Sequence, residues 1–262
     1  MPDLAVYLVI GVIAGVLAGL LGIGGGLLIV PSLVWVFERD AFPDSVIMQM
    51  ALGTSLATII VTSISSLRAH SRKGNVDWAA FWRLTPGVLL GAPAGSVISH
   101  YLPGDALRTI FGAALLLISL QMLFAVGVSP RRQLPGTAGL FGAGLLIGIA
   151  SAIIGIGGGS LTVPYLVWNN LQSRYAVGTS AACGLPIALS GAAGFVINGQ
   201  FAQGLPEGSL GYVFLPAFFG VAAASALLAP VGASLASRLR SRTLSRVFAL
   251  FLAAMALRFL LR

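Results

Sequence analysis

Charge is scarce in this chain: only 8% of its 262 residues are Asp, Glu, Lys or Arg, and seven of those are acids. Soluble domains carry about a quarter. That scarcity, with 57% hydrophobic residues and a mean hydropathy of +0.97, excludes an ordinary soluble fold. Cysteine is almost missing as well. Cys183 alone permits no internal disulfide, and two histidines, His70 and His100, are too few for a structural zinc site. No metal, redox group or other cofactor is expected.

An integral membrane protein remains, in contact with the lipid bilayer and with room for about eight apolar segments of ~20 residues and short connections. Met1-Pro2-Asp3 provides no basic leader and the apolar stretch runs straight on, so a cleaved signal peptide is not expected. A net charge of +8 in a soluble protein would point to nucleic acid. Here the arginines lie in loops between apolar spans, where they report orientation, and no nucleic-acid partner is expected.

The chain is organised around Gly22-Ile23-Gly24-Gly25-Gly26, set in an apolar run from Leu4 to Phe37 and followed by Val30-Pro31. The same knot returns 133 residues later as Gly155-Ile156-Gly157-Gly158-Gly159, followed by Val163-Pro164, and residues 15–35 match 148–168 at 12 of 21 positions. Glycine weakens a helix interior by roughly 1 kcal/mol relative to alanine, so three in succession predict a break. Interrupted apolar segments at matching places in two halves point to a transporter site, where half-helix ends turn N–H groups on an anion. The alternative, that these glycines serve close helix packing, suits Gly11, Gly15 and Gly19 better than paired triplets.

Residues 4–37 would make a helix of about 50 Å, too long for a core of about 30 Å, and the knot divides them. Full spans are expected at 45–67, 78–100 and 105–127. Residues Pro130 to Pro135 link the halves, residues 1–130 and 131–262. The order then repeats as 137–156, the knot, 160–168, 175–197, 209–231 and 243–261. Ala51-Leu52-Gly53-Thr54-Ser55 matches Ala176-Val177-Gly178-Thr179-Ser180, and Ala92-Pro93 with Leu102, Leu107 and Phe111 matches Ala229-Pro230 with Leu239, Leu244 and Phe248.

Equivalent loops carry opposite charge. Arg68, Arg72 and Lys73 fall in the 68–77 loop while its counterpart at 198–209 has no base. One loop later 101–105 has none, whereas its counterpart has Arg238, Arg240, Arg242 and Arg246. Because cytoplasmic loops are rich in Lys and Arg, the halves are expected to be inverted. Inversion requires an odd number of crossings per half, met if the knot-bearing pair dips in and returns. The expected fold is therefore an all-α polytopic membrane protein of two inverted-topology repeats, each a broken, re-entrant helical hairpin plus three transmembrane helices. Both termini then lie outside, with Arg39, Arg108, Arg258 and Arg262 as exceptions to the charge rule.

No acid falls inside an expected span, which argues against a proton or sodium pathway. An anion site needs only donors. Gly24, Gly25 and Gly26 with Gly157, Gly158 and Gly159 offer N–H groups, and Thr54, Ser55, Thr179 and Ser180 offer hydroxyls, whose alternative role is bonding between helices. His70 with Arg68, Asn75 and Asp77 suits a solvated cytoplasmic cluster, Asn198 and Gln200 the outer rim, and Trp35 and Trp168 interfacial anchors. Cys183 suits a small buried apolar residue. An enzyme is not expected: Gly53-Thr54-Ser55 with a distant histidine resembles an intramembrane serine protease faintly, but the tripeptide occurs in both halves without a matching histidine.

Two Gly-Ile-Gly-Gly-Gly-x-x-x-Val-Pro motifs, each followed by a Gly-Thr-Ser helix, resemble the sulfite exporter TauE/SafE family over essentially the full chain. The resemblance implies a bacterial inner-membrane transporter of small anions, typically sulfite, sulfoacetate or related sulfur compounds, sometimes carboxylates. A carrier with a midplane site between the two knots and the Thr-Ser pairs, working by alternating access of one half against the other, is the first expectation. A passive anion channel or a carrier of short carboxylates is the alternative. Substrate identity, direction and oligomeric state stay open.

Overall fold

A computed structural model describes residues 4–21, 25–124, 133–236 and 241–261. The first half contains α1 (Leu4–Leu21), α2 (Gly26–Arg39), α3 (Asp44–Arg72), α4 (Trp78–Tyr101) and α5 (Gly104–Leu123). The second contains α6 (Thr137–Ile154), α7 (Gly159–Trp168), α8 (Ser173–Gly199), a hairpin of β1 (Ser209–Leu210) and β2 (Val213–Phe214), α9 (Leu215–Ala236) and α10 (Ser241–Leu260). By length and composition α3, α5, α6 and α8 can each cross a membrane, and apolar stretches at Leu4–Leu17 and Leu215–Ala229 add to them. The protein is a multi-pass, helical membrane protein.

Two boundaries differ from expectation. Helix α3 runs on through Arg68, His70 and Arg72, where a loop is expected, because its stop signal lies later. Gly74 takes φ +64, its N–H meets the Ser71 carbonyl and the Asn75 N–H returns to His70, closing the end in a Schellman motif. In the second half the span expected from 209 starts at Leu215. A two-residue turn, with Gly211 at φ +54 in its first position, folds 209–214 into a hairpin pairing Ser209 with Phe214 and Leu210 with Val213. The hairpin packs on Gly199, where a Cβ would strike Gly211 and the Tyr212 N–H.

Pairing between helices follows one pattern. Advancing every helix by five places maps α1 against α9 onto α6 against α4, α2 against α3 onto α7 against α8, and α3 against α9 onto α8 against α4. The pairs α3 with α8 and α5 with α10 map onto themselves. The broadest interfaces join one half to the other, whereas α1 meets α2, and α6 meets α7, only sparsely.

Glycine seams allow this closeness. Along α4, Cβ atoms on Gly87, Gly91 and Gly95 would run into the Phe141, Leu145 and Ile149 backbone of α6. In the matching pair, Gly11 and Gly15 of α1 lie against Val221 and Ser225 of α9, and the Ser225 hydroxyl donates 3.0 Å to the Gly11 carbonyl. Small residues spaced four apart let backbones approach where lipid offers no hydrophobic gain from packing.

Three of the four bases that depart from the loop-charge rule are paired. Arg108 of α5 lies 2.9 Å and Arg258 of α10 3.4 Å from Glu38 at the end of α2, and Arg39 lies 2.9 Å from Asp40. Arg108 and Glu38 are each only 13% exposed, so this pair is largely withdrawn from solvent. These bases balance local acids. Arg262, Arg238, Arg240 and linker residues 130–132 lie outside the described residues.

Candidate functional site

The second knot is a true break. Helix α6 ends at Ile154, and Gly155 enters the left-handed region at φ +71 while the Ile156 N–H returns to Ser151. Two residues on, Gly158 takes φ +76 and opens α7, whose first internal bonds run from Leu161 and Thr162 to the Gly158 carbonyl at 3.0 and 2.7 Å. The N–H groups of Gly159 and Ser160 precede those bonds and have no acceptor among the described residues, the usual state of a helix N-terminus. In the first knot Gly25 is right-handed helical at φ −52, and Leu28 and Ile29 donate to its carbonyl. Gly22, Ile23 and Gly24 lie outside the described residues.

The two knots meet in the interior. A Cβ on Gly26 would stand 2.6 Å from the Gly155 carbonyl oxygen and 3.1 Å from the Ile156 Cα. Ile59 of α3 wedges beside them, its Cδ1 3.0 Å from that Gly26 position and its Cγ2 2.9 Å from the equivalent position on Gly157. Gly26, Gly155, Gly157 and Gly158 are all buried, and Gly159 is half-buried.

Each Gly-Thr-Ser motif grips the other half. Gly53 lets the Tyr212 carbonyl approach, its absent Cβ being 2.9 Å from that oxygen, and Gly178 likewise admits the Asn75 carbonyl. Thr54 accepts from the Phe214 N–H at 2.9 Å, just before α9, and Thr179 accepts from the Asp77 N–H at 2.9 Å, just before α4. Asp77 in turn caps α4 by accepting from Ala80 at 2.9 Å. Ser55 donates to the Gly155 carbonyl at 2.8 Å, whereas the buried Ser180 hydroxyl has no partner. Of the expected ligands, then, Ser55 and the knots come together, Thr54 and Thr179 hold loops, and Ser180 is left unsatisfied.

Three hydroxyls were not among those expected. Ser151 of α6 and Ser160 and Thr162 of α7 have side-chain oxygens shut away from solvent with no hydrogen-bond partner among the described residues. Above Gly158, a Cβ would lie 3.2 Å from Thr162 Oγ1 and 3.5 Å from Ser151 Oγ, with the end of Ile187 closest of all. Buried polar atoms without partners are costly, at about 1 to 3 kcal/mol each, and here several lie together at a helix N-terminus. Their signal in the sequence was a departure from the repeat: the aligned positions of the first half are Ala18, Leu27 and Ile29.

The remaining expected sites are placed as follows. Cys183 is buried, Trp35 and Trp168 are exposed near the ends of α2 and α7, and Asn198 donates to the Ser96 hydroxyl at 3.1 Å and to the Gly194 carbonyl at 2.8 Å. Below the hairpin, His100 Nδ1 is 2.9 Å from the Tyr212 hydroxyl, whose own pKa is pushed up by burial.

The model of the family described as "Sulfite exporter TauE/SafE" matches residues 7–259. The chain belongs to the sulfite exporter TauE/SafE family. Among its relatives this TauE/SafE chain is 37% identical over 257 residues to a "Probable membrane transporter protein" of Haemophilus influenzae, covering 97% of each. A probable membrane transporter protein of Methanocaldococcus jannaschii is 28% identical over 220 residues, covering 81% of this chain and 79% of its own. Another from Bacillus subtilis is 29% identical over 215 residues, 74% of this chain and 79% of the relative. The knots, the Gly-Thr-Ser motifs and the partnerless hydroxyls all fall inside the matched span. The chain is a membrane transporter by family.

Proposed function

We propose that this protein is a secondary carrier of small anions, sulfur-containing ones such as sulfite in its singly protonated form, with its site at the second knot where the two halves touch. The observation that carries this reading is the opening of α7: N–H groups at Gly159 and Ser160 with no acceptor among the described residues, converging hydroxyls from Ser151 and Thr162, and a position at Gly158 that any side chain would fill. A helix N-terminus stripped of water favours negative charge through its N–H groups and the helix dipole.

The pairing pattern supports two structurally equivalent repeats. The reversal of loop charge between them is what favours inversion with both termini outside, and the family resemblance is what favours a bacterial inner membrane. The pairing pattern also suggests which parts move. The seams between α4 and α6 and between α1 and α9 are too close for residues 1–130 to rock rigidly against 131–262. The moving bodies are instead α1, α2, α3 and α9 against α4, α6, α7 and α8, hinged where α3 meets α8 and where the knots touch. Alternating access by two such bodies exposes a midplane site to one side at a time.

Purified protein in proteoliposomes tests this. Saturable exchange of labelled sulfite against internal sulfite, unaffected by removing sodium, is expected of the carrier. Flux that never saturates indicates a passive channel, and flux that stops without sodium refutes the coupling proposed here.

A further inference from the structure

We infer that the chain holds a single anion site, built by the second half alone from uncharged donors, and that it selects singly charged oxyanions over doubly charged ones. This deepens the carrier reading above and rests on it for the site's location.

The asymmetry lies in the two knots. Around the second, Ser151 (0% exposed) and Thr162 (1% exposed) turn partnerless hydroxyls to the space over Gly158, and the hydroxyl of Ser160 is likewise buried and free of partners. Ser180 and Ile187 lie seven apart on α8, on the face that covers this knot, since Gly184 between them packs on the Gly157 carbonyl and Ile187 on Gly158. The aligned positions in the first half, Leu27 and Ile29, are buried and apolar and offer no side-chain donor. Gly26 of the first knot therefore packs as a wall on the Gly155 carbonyl and Ile156, and the second knot forms the cradle.

Charge selection follows from what the cradle lacks. No Lys, Arg or His occurs between Gln133 and Ser173, nor in residues 175–199 of α8, nor in residues 44–67 of α3. With neutral N–H and O–H donors alone, the attraction grows in proportion to the anion's charge while the cost of stripping its water grows as the square, about fourfold for a dianion. Two N–H groups and the hydroxyls of Ser151 and Thr162 suit an anion with several oxygens and one net charge, such as hydrogen sulfite or a sulfonate. Ile187 must swing aside to admit it, as its end occupies the space nearest Gly158.

Calorimetric titration of the full-length protein in detergent tests this with two probes whose charge does not change with pH, methanesulfonate and sulfate. Methanesulfonate is expected to bind at least about tenfold tighter than sulfate, at one per chain, and Thr162→Val or Ser151→Ala to weaken it about tenfold each with little change in melting temperature. Equal or tighter binding of sulfate, or two anions per chain, overturns the inference while leaving a carrier intact. Should both variants bind methanesulfonate normally, the cradle is not the site. If the protein binds neither probe and exchanges no sulfite in proteoliposomes, the carrier reading falls too.

Discussion

The Ser55 hydroxyl donates 2.8 Å to the carbonyl of Gly155, so the third helix of one half holds the glycine that ends the first helix of the other. Its neighbour Thr54 and the matching Thr179 do the same kind of work, each accepting the N–H at the entrance to a helix across the pseudo-symmetry. The Gly-Thr-Ser motif thus reads as a clasp: glycine for close approach, threonine for the loop and, in the first half, serine for the knot.

Loss of the clasp should appear first as lost stability. Thr54→Val and Thr179→Val each strand a backbone N–H, and Ser55→Ala strands a carbonyl, for an expected cost of about 1 to 2 kcal/mol per bond. Thermal unfolding in detergent should register similar drops for the two threonine variants. A threonine variant that keeps its melting temperature but loses anion affinity would instead assign that hydroxyl to the ligand.

The glycines of the two knots should not be equivalent. Gly158→Val demands φ +76 of a β-branched residue and fills the space between Thr162 and Ser151, so anion exchange should vanish while the protein still inserts and purifies. Gly25 sits at an ordinary helical φ of −52, and Gly25→Val should be milder. Equal exchange rates for the two variants in proteoliposomes would count against the asymmetry.

Inversion can be read by labelling. Lys73 and Gln203 are both exposed, and single cysteines there in a Cys183→Ala background should react with an impermeant reagent from opposite sides. Reaction of both from the same side would refute the inverted repeats. Cys183 is fully buried, so the background change itself should cost only about 1 kcal/mol through the small space it leaves.

Glu38 is the acid on which two arginines converge, and Glu38→Gln should destabilise the protein by leaving Arg108, 13% exposed, without its closest counter-charge. Breaking one partner out of a buried pair costs about 3 to 5 kcal/mol, with a smaller figure expected where solvent still reaches. Melting temperature in detergent should fall, and Arg108→Gln together with Glu38→Gln should recover part of the loss. No recovery in the double variant would show that the pair is not the source.

The sequence by itself determined the membrane class, the duplication, the break at the second knot and most helix limits, because these depend on local matters: apolar length, repeated spacing and what glycine does to a helix. It even contained the stop of α3, in Gly74. Tertiary structure alone decided which residues face which. Thr54 and Thr179 looked like ligands because a hydroxyl near a knot can donate to an anion, yet each meets a backbone N–H more than a hundred residues away. Ser151 and Thr162 looked unremarkable until folding left them without partners at one point. Hydrogen-bond satisfaction is a property of the packed chain, set by which carbonyl or N–H arrives from a distant helix, and no local pattern encodes that arrival.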